Sequence, residues 1–243
     1  MNLLIDMGNT RLKWAIGNGL DISVGLPVCN ADIDRDSLFQ LWQAIDPPNQ
    51  LAISCVSANQ LFGLVLSVAK EFWPTANIVI AKSEASGFGL INSYQNPEKL
   101  GVDRWLGMIA SYHRHQKAFC IVDCGTAITV DVVDNFGKHL GGLISPGLTL
   151  MKESLAKGAE NLSLSQATYP FSLANFTDAA IHNGTLSAAC GLIELALKNQ
   201  PDNLQLLLTG GDAETIAAHL SKSAIVDPDL VLRGLALMLF EQP

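Results

Sequence analysis

Apolar residues are distributed along the chain in two regimes. Short continuous apolar runs, bounded by Gly or Asp, fall at residues 2–5, 51–56, 78–81, 119–122, 128–133 and 205–209. Runs of this length predict strands, several of them buried on both faces. Between them, apolar residues recur at helical spacing over 36–45, 60–73, 102–115, 177–198, 213–220 and 230–240. Strands mixed with helices imply an α/β architecture with a largely covered sheet.

The pattern also contains an internal echo. Leu3-Leu-Ile-Asp6-Met-Gly8-Asn-Thr10 leads into an apolar run at 12–16, and Phe119-Cys-Ile-Val-Asp123-Cys-Gly125-Thr126 leads into 128–133. Each reads as strand, Asp-x-Gly, Thr, strand. The recurrence of Asp, Gly and Thr in one setting predicts a duplicated domain with related β-hairpins. Chance similarity of two strand-turn units is the alternative. A seam follows the helical stretch that ends near 115–117.

Composition narrows the class. The chain has 243 residues, 49% hydrophobic and 16% charged, with a mean hydropathy of +0.26. That supports a well-buried core in one large domain or two compact ones. The net charge of −8 argues against nucleic acid as a principal partner, because phosphate-backbone affinity comes from Lys and Arg. No apolar run approaches the roughly 18 residues of a membrane span. Asp6 interrupts the N-terminal apolar stretch before a signal sequence can form. The expected location is cytoplasmic. The five cysteines (Cys29, Cys55, Cys120, Cys124 and Cys190) are scattered without zinc spacing and read as reduced, buried thiols.

The hairpins point to phosphate chemistry. Glycine in a tight turn lets backbone N–H groups approach an oxygen-rich ligand. A neighbouring Thr can donate to a phosphate oxygen, and an Asp at the strand end can hold a hard cation or its water shell. Lys13, in the first hairpin, adds a point charge. For a single Asp-x-Gly, ordinary turn chemistry is the simpler account. Two such turns favour a nucleotide clamp without a P-loop, since neither G-x-x-x-x-G-K-[ST] nor G-x-G-x-x-G occurs.

A third segment runs Tyr94-Gln-Asn-Pro97-Glu-Lys-Leu-Gly101-Val102-Asp103-Arg104-Trp105. Asp103 falls in the first turn of the predicted helix. It reads either as a helix-capping carboxylate or as a general base for a substrate hydroxyl. Arg104 suits an anionic substrate or a transferring phosphate. Gly141-Gly142-Leu-Ile-Ser-Pro146-Gly147 reads as a bend before a helical stretch at 148–157. Thr209-Gly210-Gly211-Asp212 follows a strand and opens a helix, and Thr177 reads as an N-cap. His113 and His115 are two apart and share no helix face, and His139, His182 and His219 are isolated and read as surface or satisfied core residues.

Taken together and in order, these segments resemble the type III pantothenate kinases, once described as Bvg accessory factor homologues. The resemblance runs over nearly the whole chain: Asp6-Met-Gly-Asn-Thr10 with Lys13, Tyr94 ahead of Gly101–Arg104, Asp123-Cys-Gly-Thr-Ala127, Gly141–Gly147, Thr177 with Gly184, Thr209–Asp212 and Pro228…Leu235. Residues 21–49 and 162–176 carry least of it.

The resemblance implies a duplicated ribonuclease-H-like fold of the actin and sugar-kinase superfamily. Residues 1–115 and 116–243 would form its two domains, with the active site in the cleft between them. It implies ATP-dependent phosphorylation of the pantothenate primary hydroxyl, the first step of coenzyme A synthesis. ATP phosphates would meet Asp6, Met7, Gly8, Asn9, Thr10, Arg11, Leu12, Lys13 and Thr126. Asp103 would accept the proton. Pantothenate would meet Tyr94, Gly101, Val102, Asp103, Arg104 and Thr177. Asp123 would hold a monovalent cation, K+ or NH4+, and Mg2+ would accompany ATP. The family's habit implies a homodimer. A related sugar kinase or polyphosphatase, and a nucleotide-binding regulator without catalysis, are the competing readings.

Overall fold

The computed structural model describes residues 1–56, 59–158, 165 and 167–241; part of the 162–176 stretch therefore lies outside the described residues. The chain begins with β1 (Asn2–Met7), β2 (Arg11–Asn18), β3 (Asp21–Val24), β4 (Val28–Cys29), α1 (Arg35–Trp42), β5 (Gln50–Cys55), α2 (Asn59–Phe72) and β6 (Asn77–Ile80). A short hairpin, β7 (Ser86–Gly87) and β8 (Leu90–Ile91), precedes α3 (Val102–His115). Then follow β9 (Phe119–Cys124), β10 (Ala127–Val133), β11 (His139–Pro146), α4 (Leu148–Gly158) and α5 (Thr177–Leu197). The chain closes with β12 (Gln205–Thr209), α6 (Ala213–Ala217), β13 (Ile225–Val226) and α7 (Leu230–Glu241).

Two sheets repeat one topology. The first has the order β3-β2-β1-β5-β6, and the second β11-β10-β9-β12-β13. In the first, β1 is antiparallel to β2 and parallel to β5, which is parallel to β6. In the second, β9 is antiparallel to β10 and parallel to β12, which is parallel to β13. This is the duplication that the sequence echo predicts.

The chain divides into two compact units. One comprises Met1–Gln116, Gly137–His139 and Asp229–Pro243; the other comprises Lys117–Phe136 and Leu140–Pro228. The last helix belongs to the first unit because it packs on β1, β5 and α3. A Cβ on Gly234 would lie 2.3 Å from the Leu106 carbonyl oxygen, so a glycine is needed for α7 to lie this close to α3.

Each unit has its own core. In the first, Leu3, Ile5, Met7, Leu51 and Ile53 pack against Leu38 and Trp42 of α1 and Val65, Val68 and Ala69 of α2. Trp42 and Trp73 meet with ring centres 5.2 Å apart. In the second, Cys120, Val122, Ile128, Val130, Leu206 and Leu208 pack against Leu186, Ala189 and Ile193 of α5 and Ile216 of α6. Central strands covered on both faces explain the continuous apolar runs in the sequence.

Residues 141–147 differ from expectation. They are not a bare bend but most of the edge strand β11. Gly and Pro are tolerated there because an edge strand leaves one side of its ladder open. No described helix is long and apolar enough to cross a membrane.

Candidate active site

The first candidate turn is fixed by the core beneath it. Leu3, Leu4, Ile5 and Met7 are fully buried, which pins β1 and delivers Asp6 to its end. Asp6 is itself buried and stands directly opposite Lys13 on β2. Side chains of a directly opposed antiparallel pair share a face of the sheet, so carboxylate and ammonium stem project together. On the other side of β1, Asp6 is in register with Ser54 of β5. Ser54 is fully buried, and its hydroxyl has no hydrogen-bond partner among the described residues.

The intervening turn is stapled from a distance. The Gly8 N–H donates to the Arg11 carbonyl at 3.1 Å. Asn30 then engages two turn carbonyls: its Nδ2 donates to Gly8 O at 2.8 Å and its backbone N–H to Thr10 O at 2.9 Å. Pairing of β4 with β2, Leu12 to Val28, brings Asn30 there. Two carbonyl oxygens that would repel a phosphate are thereby tied back. Asn9, Thr10 and Arg11 are exposed at the tip, whereas Met7 and Leu12 are buried and present only backbone. Sequence reasoning missed Asn30 because nothing local marks a residue that acts 20 positions away.

The second turn repeats the first with one residue fewer. Asp123 stands opposite Thr129 on β10 and in register with Thr209 on β12. The Gly125 N–H donates to the Ala127 carbonyl at 3.1 Å. Two glycine-rich segments, distant in sequence, close on this turn. A Cβ on Gly147 would lie 2.1 Å from Gly125 O, and the Gly147 N–H donates to Thr126 O at 2.9 Å. Gly210 has φ +92°, and a Cβ there would lie 2.5 Å from Asp123 Oδ1. The Asp212 N–H donates to Cys124 O at 3.0 Å. The structure therefore brings together Asp123, Thr126, Gly147 and the Thr209–Asp212 motif.

The third group lies at the start of α3. Gly101 is the N-cap and Asp103 sits in the first turn, where its Oδ1 accepts from the Arg104 N–H at 2.8 Å. A Cβ on Gly101 would lie 2.6 Å from that same Oδ1, so glycine makes room for the carboxylate. Arg104 is buried; its Nη1 donates to the Tyr94 hydroxyl at 2.8 Å, and its guanidinium lies 5.5 Å from the Tyr94 ring centre. Asn92, also buried, accepts from the Tyr94 N–H at 3.0 Å and donates to Glu84 O at 3.0 Å. Tyr94, Asp103 and Arg104 thus form one organised group, with Gly101 and Val102 as its backbone.

Thr177 occupies the first residue of α5 and is exposed. The N-cap is Phe176 rather than Thr177. Asn183, one and a half turns on, donates to Pro170 O at 3.0 Å and Ser172 O at 2.8 Å, fixing the segment that leads to Thr177.

The buried thiols Cys120, Cys124 and Cys190 are not nucleophiles in waiting. Burial, reinforced by the Asp131 carboxylate, pushes Cys120 up to about 12. Burial, with Asp123 and Asp212 adding, pushes Cys124 up further still. The expectation of buried thiols does not hold throughout: Cys29, on the short strand β4, is exposed, and Cys55 is only partly buried. Among the described residues no group of three or more His, Cys, Asp or Glu is arranged to hold a metal ion. Asp6 and Asp123 are instead single carboxylates in register with hydroxyl residues. That oxygen donor set fits a hard cation sharing its shell with phosphate oxygens and water.

Residues 2–199 match the protein-family model for type III pantothenate kinase. A type III pantothenate kinase from Nitrosococcus oceani is 36% identical over 247 residues, spanning 97% of this chain and 92% of its own length. A Baf family protein from Campylobacter jejuni superposes with a TM-score of 0.60 at 23% identity, covering 98% of each chain. The activator of 2-hydroxyisocaproyl-CoA dehydratase from Clostridium difficile, solved with bound ADPNP, superposes with a TM-score of 0.55 at 14% identity, covering 99% of this chain and 94% of its own. These structural likenesses concern the fold, the duplicated ribonuclease-H-like fold of the actin-like ATPases and sugar kinases. With the family match running through both hairpins, the Tyr94–Arg104 group and Thr177, the chain belongs to the type III pantothenate kinase family.

Proposed function

We propose that this chain is an ATP-dependent kinase that transfers the γ-phosphoryl group to the primary hydroxyl of pantothenate, giving 4′-phosphopantothenate and ADP, the first step of coenzyme A synthesis. Family membership supports the reaction. The observation that carries it in this chain is Asp103, held at the start of α3 beside the Arg104–Tyr94 pair.

In this reading the substrate hydroxyl oxygen forms a bond to the γ-phosphorus as the bond to the β–γ bridging oxygen breaks. The hydroxyl proton passes to an Asp103 carboxylate oxygen and ADP leaves. Phosphoryl transfer needs alignment and charge neutralisation more than covalent help from the protein. Lys13 neutralises charge on the ATP phosphates. The Asp6–Lys13 turn and Thr126 supply donors to them. Arg104 binds the pantothenate carboxylate, and Tyr94, Gly101, Val102 and Thr177 shape its site. Asp6 would hold the Mg2+ that accompanies ATP, and Asp123 would hold a monovalent cation, K+ or NH4+; the charge such cations supply would lower the repulsion between carboxylates and phosphates.

The working form is a cytoplasmic homodimer. Leu140 and Ile144, both exposed and four residues apart on one side of the edge strand β11, support a second copy as the cover for that edge. Sedimentation of the purified protein should give twice the chain mass, and a monomer at micromolar concentration would refute the dimer.

The reaction is tested with a panel of acceptors: pantothenate, hexoses and polyphosphate, each with ATP and Mg2+ in potassium or sodium buffer. Turnover is expected with pantothenate alone and faster in potassium. Turnover with a hexose but not pantothenate would contradict the reading.

A further inference from the structure

His139 has no part in the chemistry above, yet it is fully buried against the group that carries it. It reaches the first unit on a three-residue segment, 137–139, whose chain neighbours belong to the second. That segment is seated on the β7–β8 hairpin. The Ile91 N–H donates to Gly137 O at 2.9 Å, and Ile91 bridges Lys138. Gly137 has φ +78°, and a Cβ there would lie 2.0 Å from Gly89 O, so only glycine allows this seating.

The imidazole then makes two contacts with consecutive residues. Its Nδ1 lies 3.3 Å from Ser93 Oγ, and its ring stacks on Tyr94 with centres 6.0 Å apart and planes 18° apart. The Tyr94 hydroxyl accepts from Arg104, and its N–H is held by Asn92. A side chain that merely filled space would need neither a flat face towards Tyr94 nor a ring nitrogen towards Ser93.

We propose that His139 is a positioning residue. It sets the plane of the Tyr94 ring, and through the Tyr94 hydroxyl the guanidinium of Arg104, for binding the acceptor substrate rather than ATP. This rests on the substrate role given above to Tyr94 and Arg104.

Steady-state kinetics of His139→Ala, His139→Phe and Ser93→Ala test it, with Leu38→Ala as a core control remote from Tyr94. His139→Ala should raise the pantothenate KM by about tenfold while leaving the ATP KM unchanged. His139→Phe, which keeps a flat ring, should remain within roughly threefold of wild type. Ser93→Ala, at an exposed position, should shift the pantothenate KM in the same direction even if His139→Ala fails to fold. Leu38→Ala should lower Tm without changing the KM ratio. Equal changes in both KM values, or a Leu38→Ala effect as large as that of His139→Ala, would overturn the proposal.

Should wild type not phosphorylate pantothenate, the functional reading fails on its own. The positioning claim is then decided by 19F NMR of fluorotyrosine-labelled protein, with the Tyr94 resonance assigned through Tyr94→Phe. That resonance should move in Ser93→Ala and His139→Ala but not in Leu38→Ala. An unmoved resonance would overturn the proposal.

Discussion

Lys13 stands directly opposite Asp6 in the β1–β2 ladder, and in the second sheet Thr129 stands opposite Asp123 at the matching position. The duplicated hairpins keep the acid and change its partner. The first pairs it with a cation, the second with a hydroxyl. Under the proposed function, the first hairpin neutralises phosphate charge and the second offers oxygen donors.

Lys13→Met keeps the aliphatic stem and removes that charge. It should lower kcat/KM for ATP on the order of a hundredfold, the usual effect of losing one preorganised donor to a transferring group. The pantothenate KM should change little. Initial rates with ATP varied at saturating pantothenate measure both, and an unchanged ATP dependence would remove Lys13 from the phosphate site.

Asn30→Ala removes the side-chain bond to Gly8 O and leaves that carbonyl free to turn towards the phosphates. The ATP KM should rise by about tenfold, with a stability loss of about 1 kcal/mol from the hydrogen bond. Isothermal titration with a non-hydrolysable ATP analogue checks the first and urea unfolding the second.

Gly101→Ala tests the room made for Asp103. The added methyl would meet Asp103 Oδ1 at 2.6 Å and push the carboxylate aside. With φ at −54° the backbone itself tolerates alanine. We expect kcat to fall about a hundredfold or more, approaching the loss from Asp103→Asn, with Tm nearly unchanged. A fully active Gly101→Ala would show that the carboxylate's position is not critical.

The buried thiols set an alkaline limit. The Cys120 thiol is raised from 9.0 to about 12 in the folded chain. Its neutral form is thus favoured by folding; the corresponding stability is complete below pH 9 and is lost as pH rises towards 12. At pH 8 iodoacetamide should modify exposed Cys29 and spare Cys120 and Cys124, whereas urea-unfolded protein should react at all five. Mass spectrometry of the digested protein reads the sites.

Much of this was legible in the sequence because it is local. Asp-x-Gly followed closely by Thr between apolar runs specifies a hairpin whichever sheet receives it. The helix over 102–115 carries its own start and stop. What escaped the sequence depends on long-range approach. Residues 141–147 look like a bend until β10 offers an edge on which Gly and Pro cost little. The closeness of Gly147 and Gly210 to the Asp123 turn follows from sheet order rather than from spacing. Asn30 and His139 are ordinary polar residues until β4 and the 137–139 segment carry them to their partners.

Transfer to pantothenate is read by following the phosphoryl group itself. Purified protein is incubated with γ-labelled ATP, Mg2+, K+ and pantothenate, and labelled products are separated by mass. The label is expected on 4′-phosphopantothenate, with one ADP formed for each labelled product. ADP formed with the label in free phosphate, or no ADP formed while ATP still binds, would contradict it.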